Sequence, residues 1–145
     1  MNAITRKGLQ AGVAANIWLY RRTNGRLGGR GIGRLPLLLL TAAGRTSGTP
    51  RTVPVAYFDT DAGYVIVGTG FGGSRHVPQW FLNLRAAGHG HVLIGGREYD
   101  AHAHVAIGAE RDDLWAKVAA RAPHFASWQA RTGRTFPIIV LTDPR

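Results

Sequence analysis

The chain has no cysteine. Disulfides, thiolate metal sites and a cysteine nucleophile are therefore excluded. Acidic residues are scarce. Asp and Glu together number 8 in 145 residues, and none precedes Asp59. Most of them fall at turns or helix starts, which disfavours chemistry by a pair of carboxylates. Lysine is nearly absent as well: Lys7 and Lys117 are the two lysines among 18 basic residues, and the rest are arginine. No apolar run reaches the roughly 18 residues that a membrane-spanning helix needs. The run "LPLLLL" is too short, and a loop follows it. The first residues lack the apolar centre of a secretory signal. A cytoplasmic setting is expected, with contact at the inner face of the cell membrane as an extension of it.

What is present points to one folded unit over residues 1–145. Hydrophobic residues make up 45% of the chain, enough for a core and too many for disorder. The net charge is +10 and the pI is about 11.4. Arginine forks suit phosphate and carboxylate better than lysine does, although a GC-rich genome gives the same bias. Arg6, Lys7, Arg21, Arg22, Arg26, Arg30, Arg34, Arg45 and Arg51 all precede the first acid. Nucleic acid, an anionic membrane surface or an anionic cofactor would each answer such a field.

Hydrophobic spacing divides the chain into elements. Residues 4–22 read as a helix, with Ile4, Leu9, Val13, Ile17 and Tyr20 along one face. A Gly/Arg-rich connector follows to residue 34. "LPLLLLT", "TPRTVPVAYFD" and "YVIVGTG" read as strands. Pro78 opens a helix, "PQWFLNLRAAG", that stops at Gly88. "HGHVLIGGREYDAHAHVAI" reads as a hairpin turning at Gly95-Gly96. That register sets Val92 opposite Tyr99, on one face with Ile94, Ala101, Ala103 and Val105. His89 then lies opposite His102, and His91 opposite Asp100, on the other face. Two helical segments, residues 108–122 and 123–133, precede a last strand, "TFPIIVLT". About six strands joined by short turns, with helices outside, imply an α+β antiparallel barrel rather than a βαβ sheet.

Two stretches invite chemistry. His89, His91, His102 and Asp100 carry zinc-ligand chemistry. They leave the sheet on the side away from the core, however, and a solvated face accounts for them. "GTGFGG" (residues 68–73) loosely resembles a dinucleotide fingerprint, but its spacing is wrong and no βαβ unit surrounds it. Its small residues still let a ligand approach the backbone. "GRTSGTPR" (residues 44–51) offers arginines, hydroxyls and freed amides together, the donor set that phosphate and carboxylate take.

Four blocks, in order, resemble the deazaflavin-dependent nitroreductase family. They are "LLLLTAAGRTSGTPRTVPVAYF", "YVIVGTGFGG", "PQWFLNLRAAG" and "ERDDLWAKVAARAPHFASWQARTGRTFPIIVLT". The resemblance runs from about residue 16 to the C-terminus. It implies a split β-barrel of the FMN-binding type and an oxidoreductase of an actinobacterial kind that uses coenzyme F420. The reaction implied is hydride transfer from reduced F420 to a quinone, an enone or a nitro compound.

The resemblance also implies roles. Arg45, Thr46, Ser47 and Arg51 would hold the F420 phosphate and its oligoglutamate tail, with Thr46 where the family usually has lysine. Thr52, Val53 and Pro54 would continue from Arg51 beside the deazaflavin ring. Gly68, Thr69, Gly70 and Phe71 would supply backbone contacts, with Gly70-Phe71 where Ser-Lys is common. Gln79, Trp80, Phe81, Leu82 and Asn83 would pack on and hydrogen-bond the cofactor. Phe125 counts with both cofactor and substrate contacts. Ala56, Ala122, Phe125 and Trp128 mark the acceptor pocket. Nitroimidazole-reducing members carry tyrosines in that region, so nitroimidazole reduction is not expected here. No catalytic side chain and no metal are implied.

Two rivals remain open on sequence. FMN could replace F420, since related barrels bind it. A basic barrel could bind nucleic acid or an anionic membrane without catalysis. Nucleic-acid barrels expose aromatics on strands, whereas Trp80, Phe81, Trp115, Phe125 and Trp128 fall on helical segments. No nucleic-acid partner is expected.

Overall fold

The computed structural model describes residues 3–26, 29, 35–69 and 76–143, with side chains from residue 13 onward. Gly70 and Phe71 lie outside the described residues. The elements are α1 (Ala3–Thr23), β1 (Leu37–Ala43), β2 (Pro50–Ala56), β3 (Phe58–Thr60), β4 (Gly63–Val67), α2 (Gln79–Ala87), β5 (His89–Ile94), β6 (Arg97–Val105), α3 (Gly108–Arg121), α4 (Pro123–Thr132) and β7 (Ile138–Thr142).

Among the described residues the sheet has seven strands, in the order β2-β1-β5-β6-β7-β4-β3. Every pairing is antiparallel. The strand count differs from the six expected because "TPRTVPVAYFD" is two strands broken at Tyr57. That break shapes the molecule. β2 and β3 are the two edges of the sheet, yet one residue joins them. The sheet must curl round to bring its edges together, which makes a split barrel. Tyr57 N–H donates to Pro36 O at 3.1 Å in continuation of the β1–β2 register, and the chain leaves that ladder after it to enter β3.

The hairpin forms in the expected register. His89 pairs with His102, His91 with Asp100 and Val92 with Tyr99, around Gly95 at φ 60°. Its apolar face joins an inner cluster of Leu38, Leu40, Ala42, Val55, Ile66, Phe81, Leu84, Val92, Tyr99, Ala101, Ile139 and Leu141. α2 contributes Phe81 and Leu84 to that cluster, both fully buried, so this helix plugs the curled sheet. A second cluster lies on the other side of the sheet. There α3, α4 and Phe136 cover Phe58, Val65, Val67, Ile138 and Val140.

α1 is tied down near its end. Buried Tyr20 accepts from Gly95 N–H at 2.7 Å and donates to Leu93 O at 3.2 Å. Burial raises its pKa above the usual phenol value. Among the described residues no helix is long and apolar enough to cross a membrane.

Candidate functional site

The site grows from the β1–β2 loop and the start of α2. The loop is tight. Gly44 N–H donates to Thr49 O at 2.9 Å, and Gly48, at φ 72°, donates to Gly44 O at 2.8 Å. The Ser47 hydroxyl turns inward and accepts from Thr49 N–H at 3.2 Å. A Cβ on Gly44 would stand 2.7 Å from that hydroxyl oxygen, so a larger residue there would turn the Ser47 side chain out of this position. Thr46 is exposed at the tip.

α2 starts as its sequence predicts. Pro78 precedes it with extended backbone, and Gly88 closes it in the left-handed conformation at φ 75°. No side chain caps its first turn, and no acid lies there. Its free N–H groups and dipole therefore present partial positive charge.

Arg45 fastens the loop to this helix. Its backbone N–H and its Nη1 both donate to Asn83 Oδ1, at 3.1 and 2.8 Å. Its Nη2 donates to Gln79 Oε1 at 2.7 Å. Asn83 is a buried polar residue, and this pairing satisfies it. Arg45 was expected to face a cofactor anion; in the structure its guanidinium gives two of its five N–H donors to side chains of α2. Arg45→Ala should therefore lower stability by about 0.5–1.5 kcal/mol, by removing the side-chain donors to buried Asn83 Oδ1 and exposed Gln79 Oε1 while the backbone N–H to Asn83 remains. Urea unfolding measures this. The double variant with Asn83→Ala should lose little beyond Asn83→Ala alone.

Arg51 differs. It pairs with Ala42 across the ladder, so its side chain leaves on the face of Leu40, Ala42 and Val53. It has no hydrogen-bond or ion-pair partner among the described residues. A cleft of about 210 Å³ opens beside it, lined by Leu40, Ala42, Arg51, Val53, Gln79, Trp80 and Asn83. The Trp80 ring packs edge-on against Phe81, centroids 5.6 Å apart. Arg51, Val53, Gln79, Trp80 and Asn83 are thus brought together from the residues singled out in the sequence. Leu40 and Ala42 complete the lining; their only signal in the sequence is strand parity with Arg51.

Other expected residues sit elsewhere. Strand alternation puts Thr52, Pro54 and Ala56 on the face opposite Arg51, opposite Thr41, Leu39 and Leu37 in the ladder. The Thr41 and Thr52 hydroxyls share a 2.7 Å hydrogen bond there. Phe81 is fully buried behind Trp80, and half-buried Leu82 does not line the cleft. Gly68 and Thr69 leave β4 on the far side of Phe81, whose ring leaves no room for a Gly68 Cβ. Ala122, Phe125 and Trp128 belong to the second cluster. Phe125 stacks on Trp128 at 5.3 Å and meets Phe58 edge-on at 5.8 Å. Ala122 and Phe125 are core residues there, because α3 and α4 need apolar side chains where they meet the sheet.

The histidine face holds separate pairs. His91 contacts Asp100 at 3.0 Å and Glu98 at 3.6 Å, while His104 contacts Glu110 at 3.0 Å. Among the described residues no group of three ligand side chains is close enough to hold a metal.

A curled antiparallel barrel, a helix start with no side-chain cap and an arginine with no partner among the described residues meet at one cleft. A profile of the F420H(2)-dependent quinone reductase family matches residues 13–143, and the chain belongs to that family. An F420H(2)-dependent quinone reductase of Mycobacterium tuberculosis is 34% identical over 127 residues, which is 86% of this chain and 85% of the relative. The solved F420-H2 dependent reductase FDR-A superposes with a TM-score of 0.65 at 29% identity, over 73% of this chain and 93% of its own. A second solved structure, described as a domain-swapped dimer, has a TM-score of 0.68 at 25% identity, over 94% of this chain and 98% of its own. The family makes this chain an oxidoreductase whose cofactor is coenzyme F420.

Proposed function

We propose that the protein reduces a quinone-type acceptor with F420H2, and that the coenzyme lies in the cleft between the β1–β2 loop and the start of α2. Arg51 carries the reading: it is a cation on the cleft wall with no partner among the described residues. The uncapped first turn of α2 stands beside it. Phosphate and tail carboxylates take that donor set, so the residues present fit the coenzyme.

F420H2 supplies a hydride when bound, and the acceptor receives it. The chain's residues bind and orient. Arg51 and the free N–H groups at Gln79 and Trp80 hold the anionic part. Arg45 keeps the loop against α2, so the Asn83 and Gln79 side chains are fixed. Thr46, at the loop tip, offers a hydroxyl where the family's lysine would offer charge. β2 is an edge strand, so unpaired backbone groups along Thr52, Val53 and Pro54 can meet a heterocycle. The backbone N–H and C=O groups of Gly68 and Thr69 are engaged within the protein, so that stretch would meet the coenzyme by backbone surface rather than by hydrogen bonds, with Gly70 and Phe71 continuing it. Trp80 offers its ring, and Phe81 supports that ring from behind. Ala56 and Trp128, both half-buried, have surface left for an acceptor. No acid or base side chain is required, since water can protonate the product. Mixing the protein with reduced F420 and menadione should return the deazaflavin absorbance. A rate no faster than the spontaneous one, with several quinones, would sink the reading.

The lipophilic acceptor fits a second feature. Trp18 is 61% exposed on α1, one turn before the exposed Arg21 and Arg22. An outward indole beside cations suits an anionic lipid surface. On this reading the enzyme docks peripherally on the inner face of the membrane. Phosphatidylglycerol vesicles should co-sediment the wild-type chain, and Trp18→Ser with Arg21→Glu and Arg22→Glu should abolish it. Equal sedimentation of both would refute membrane docking through α1.

A further inference from the structure

Arg134 was not singled out by the sequence, yet it grips the chain where it leaves β4. Gly133, at φ 68°, ends α4 and reverses the backbone. Arg134 then lies back across the exit of β4. Its Nη1 donates to Gly68 O and its Nη2 to Thr69 O, each at 3.0 Å. Its guanidinium carbon sits 4.7 Å from the centre of the Phe136 ring. Partial burial lowers its pKa, but an arginine remains charged throughout the working range. The stretch it grips is confined on other sides too. Gly68 N–H donates to Pro137 O at 2.8 Å. A Cβ on Gly68 would stand 2.9 Å from Pro137 Cγ and 3.0 Å from Phe81 Cδ2. Phe81 in turn supports Trp80 on the cleft wall.

We propose that Arg134 is a positioning residue for the coenzyme. It fixes two successive carbonyls of Gly68 and Thr69 with one planar fork, and so sets where the chain leaves β4 behind the Phe81–Trp80 wall. The rigid guanidinium fork aims one N–H at each carbonyl, whereas an ammonium, though it has three donors, fixes neither direction. The inference rests on Gly68 and Thr69 belonging to the coenzyme site.

Arg134→Gln and Arg134→Lys in the full chain test it with three readouts. Without coenzyme, Arg134→Gln should speed amide exchange in the Val65–Thr69 peptide about tenfold, with Arg134→Lys in between. Its F420 dissociation constant should rise about tenfold, and the lysine variant should recover part of the loss. If exchange rises while F420 affinity stays at the wild-type value, Arg134 is structural only and the proposal is overturned. Unchanged exchange overturns it as well. A wild-type chain that binds no F420 overturns the coenzyme reading itself, whatever the exchange shows. If Arg134→Gln fails to fold, Arg134→Lys gives the same comparison.

Discussion

Phe81→Ala is expected to cost about 3–5 kcal/mol of stability, as large-to-small changes at fully buried aromatics do. Phe81 is one of the largest fully buried side chains and lies at the centre of the inner cluster. Its removal opens a cavity between α2, Gly68 and the curled sheet. At this chain length the melting temperature should fall by roughly 10 °C or more. Calorimetry measures that directly. The same change should weaken F420 binding, because the Trp80 ring loses the surface it packs against and Gly68 loses its backstop. A variant that melts within a degree or two of wild type would show that α2 does not plug the barrel.

Arg51→Gln is expected to weaken binding while leaving stability nearly unchanged. Losing a charge-assisted contact to phosphate or carboxylate removes about 1.5–3 kcal/mol of binding, or about a tenfold to hundredfold rise in the F420 dissociation constant. Stability should stay within about 0.5 kcal/mol, because the side chain has no partner among the described residues. Arg45 supplies the contrast. Its three hydrogen bonds are internal, so its loss should register first in unfolding. Isothermal titration and urea unfolding on both variants separate the two arginines. An Arg51→Gln chain with wild-type affinity would remove the anion contact from the account.

The two arginines also show how far the sequence could be read. Both stand in "GRTSGTPR" with no acid nearby, and sequence alone treats them alike. What divides them is a contact between residues 45 and 83, 38 positions apart, which no local pattern carries. Local rules served well where they govern. Gly95-Gly96 fixed the hairpin register, and Pro78 and Gly88 bounded α2. They failed at Tyr57, where one residue turns an apparent single strand into the two edges of the sheet. Along Arg51–Pro54, which the family resemblance treats as one run beside the ring, alternation adds a distinction that the resemblance does not carry. Strand alternation sends Arg51 and Val53 to the cleft and Thr52 and Pro54 to the other face. Ala122 and Phe125 were legible as apolar, but only the packing of α3 and α4 shows them to be core.

The most direct test of the central claim is a parallel titration of the full chain with oxidised F420 and with FMN. Both ligands carry a phosphate and a flavin-like ring, but only F420 adds the carboxylate tail. The unpaired Arg51 and the uncapped start of α2 imply saturable F420 binding, tighter than FMN and weakened by Arg51→Gln. FMN binding more tightly, or no saturation with F420, would contradict the account.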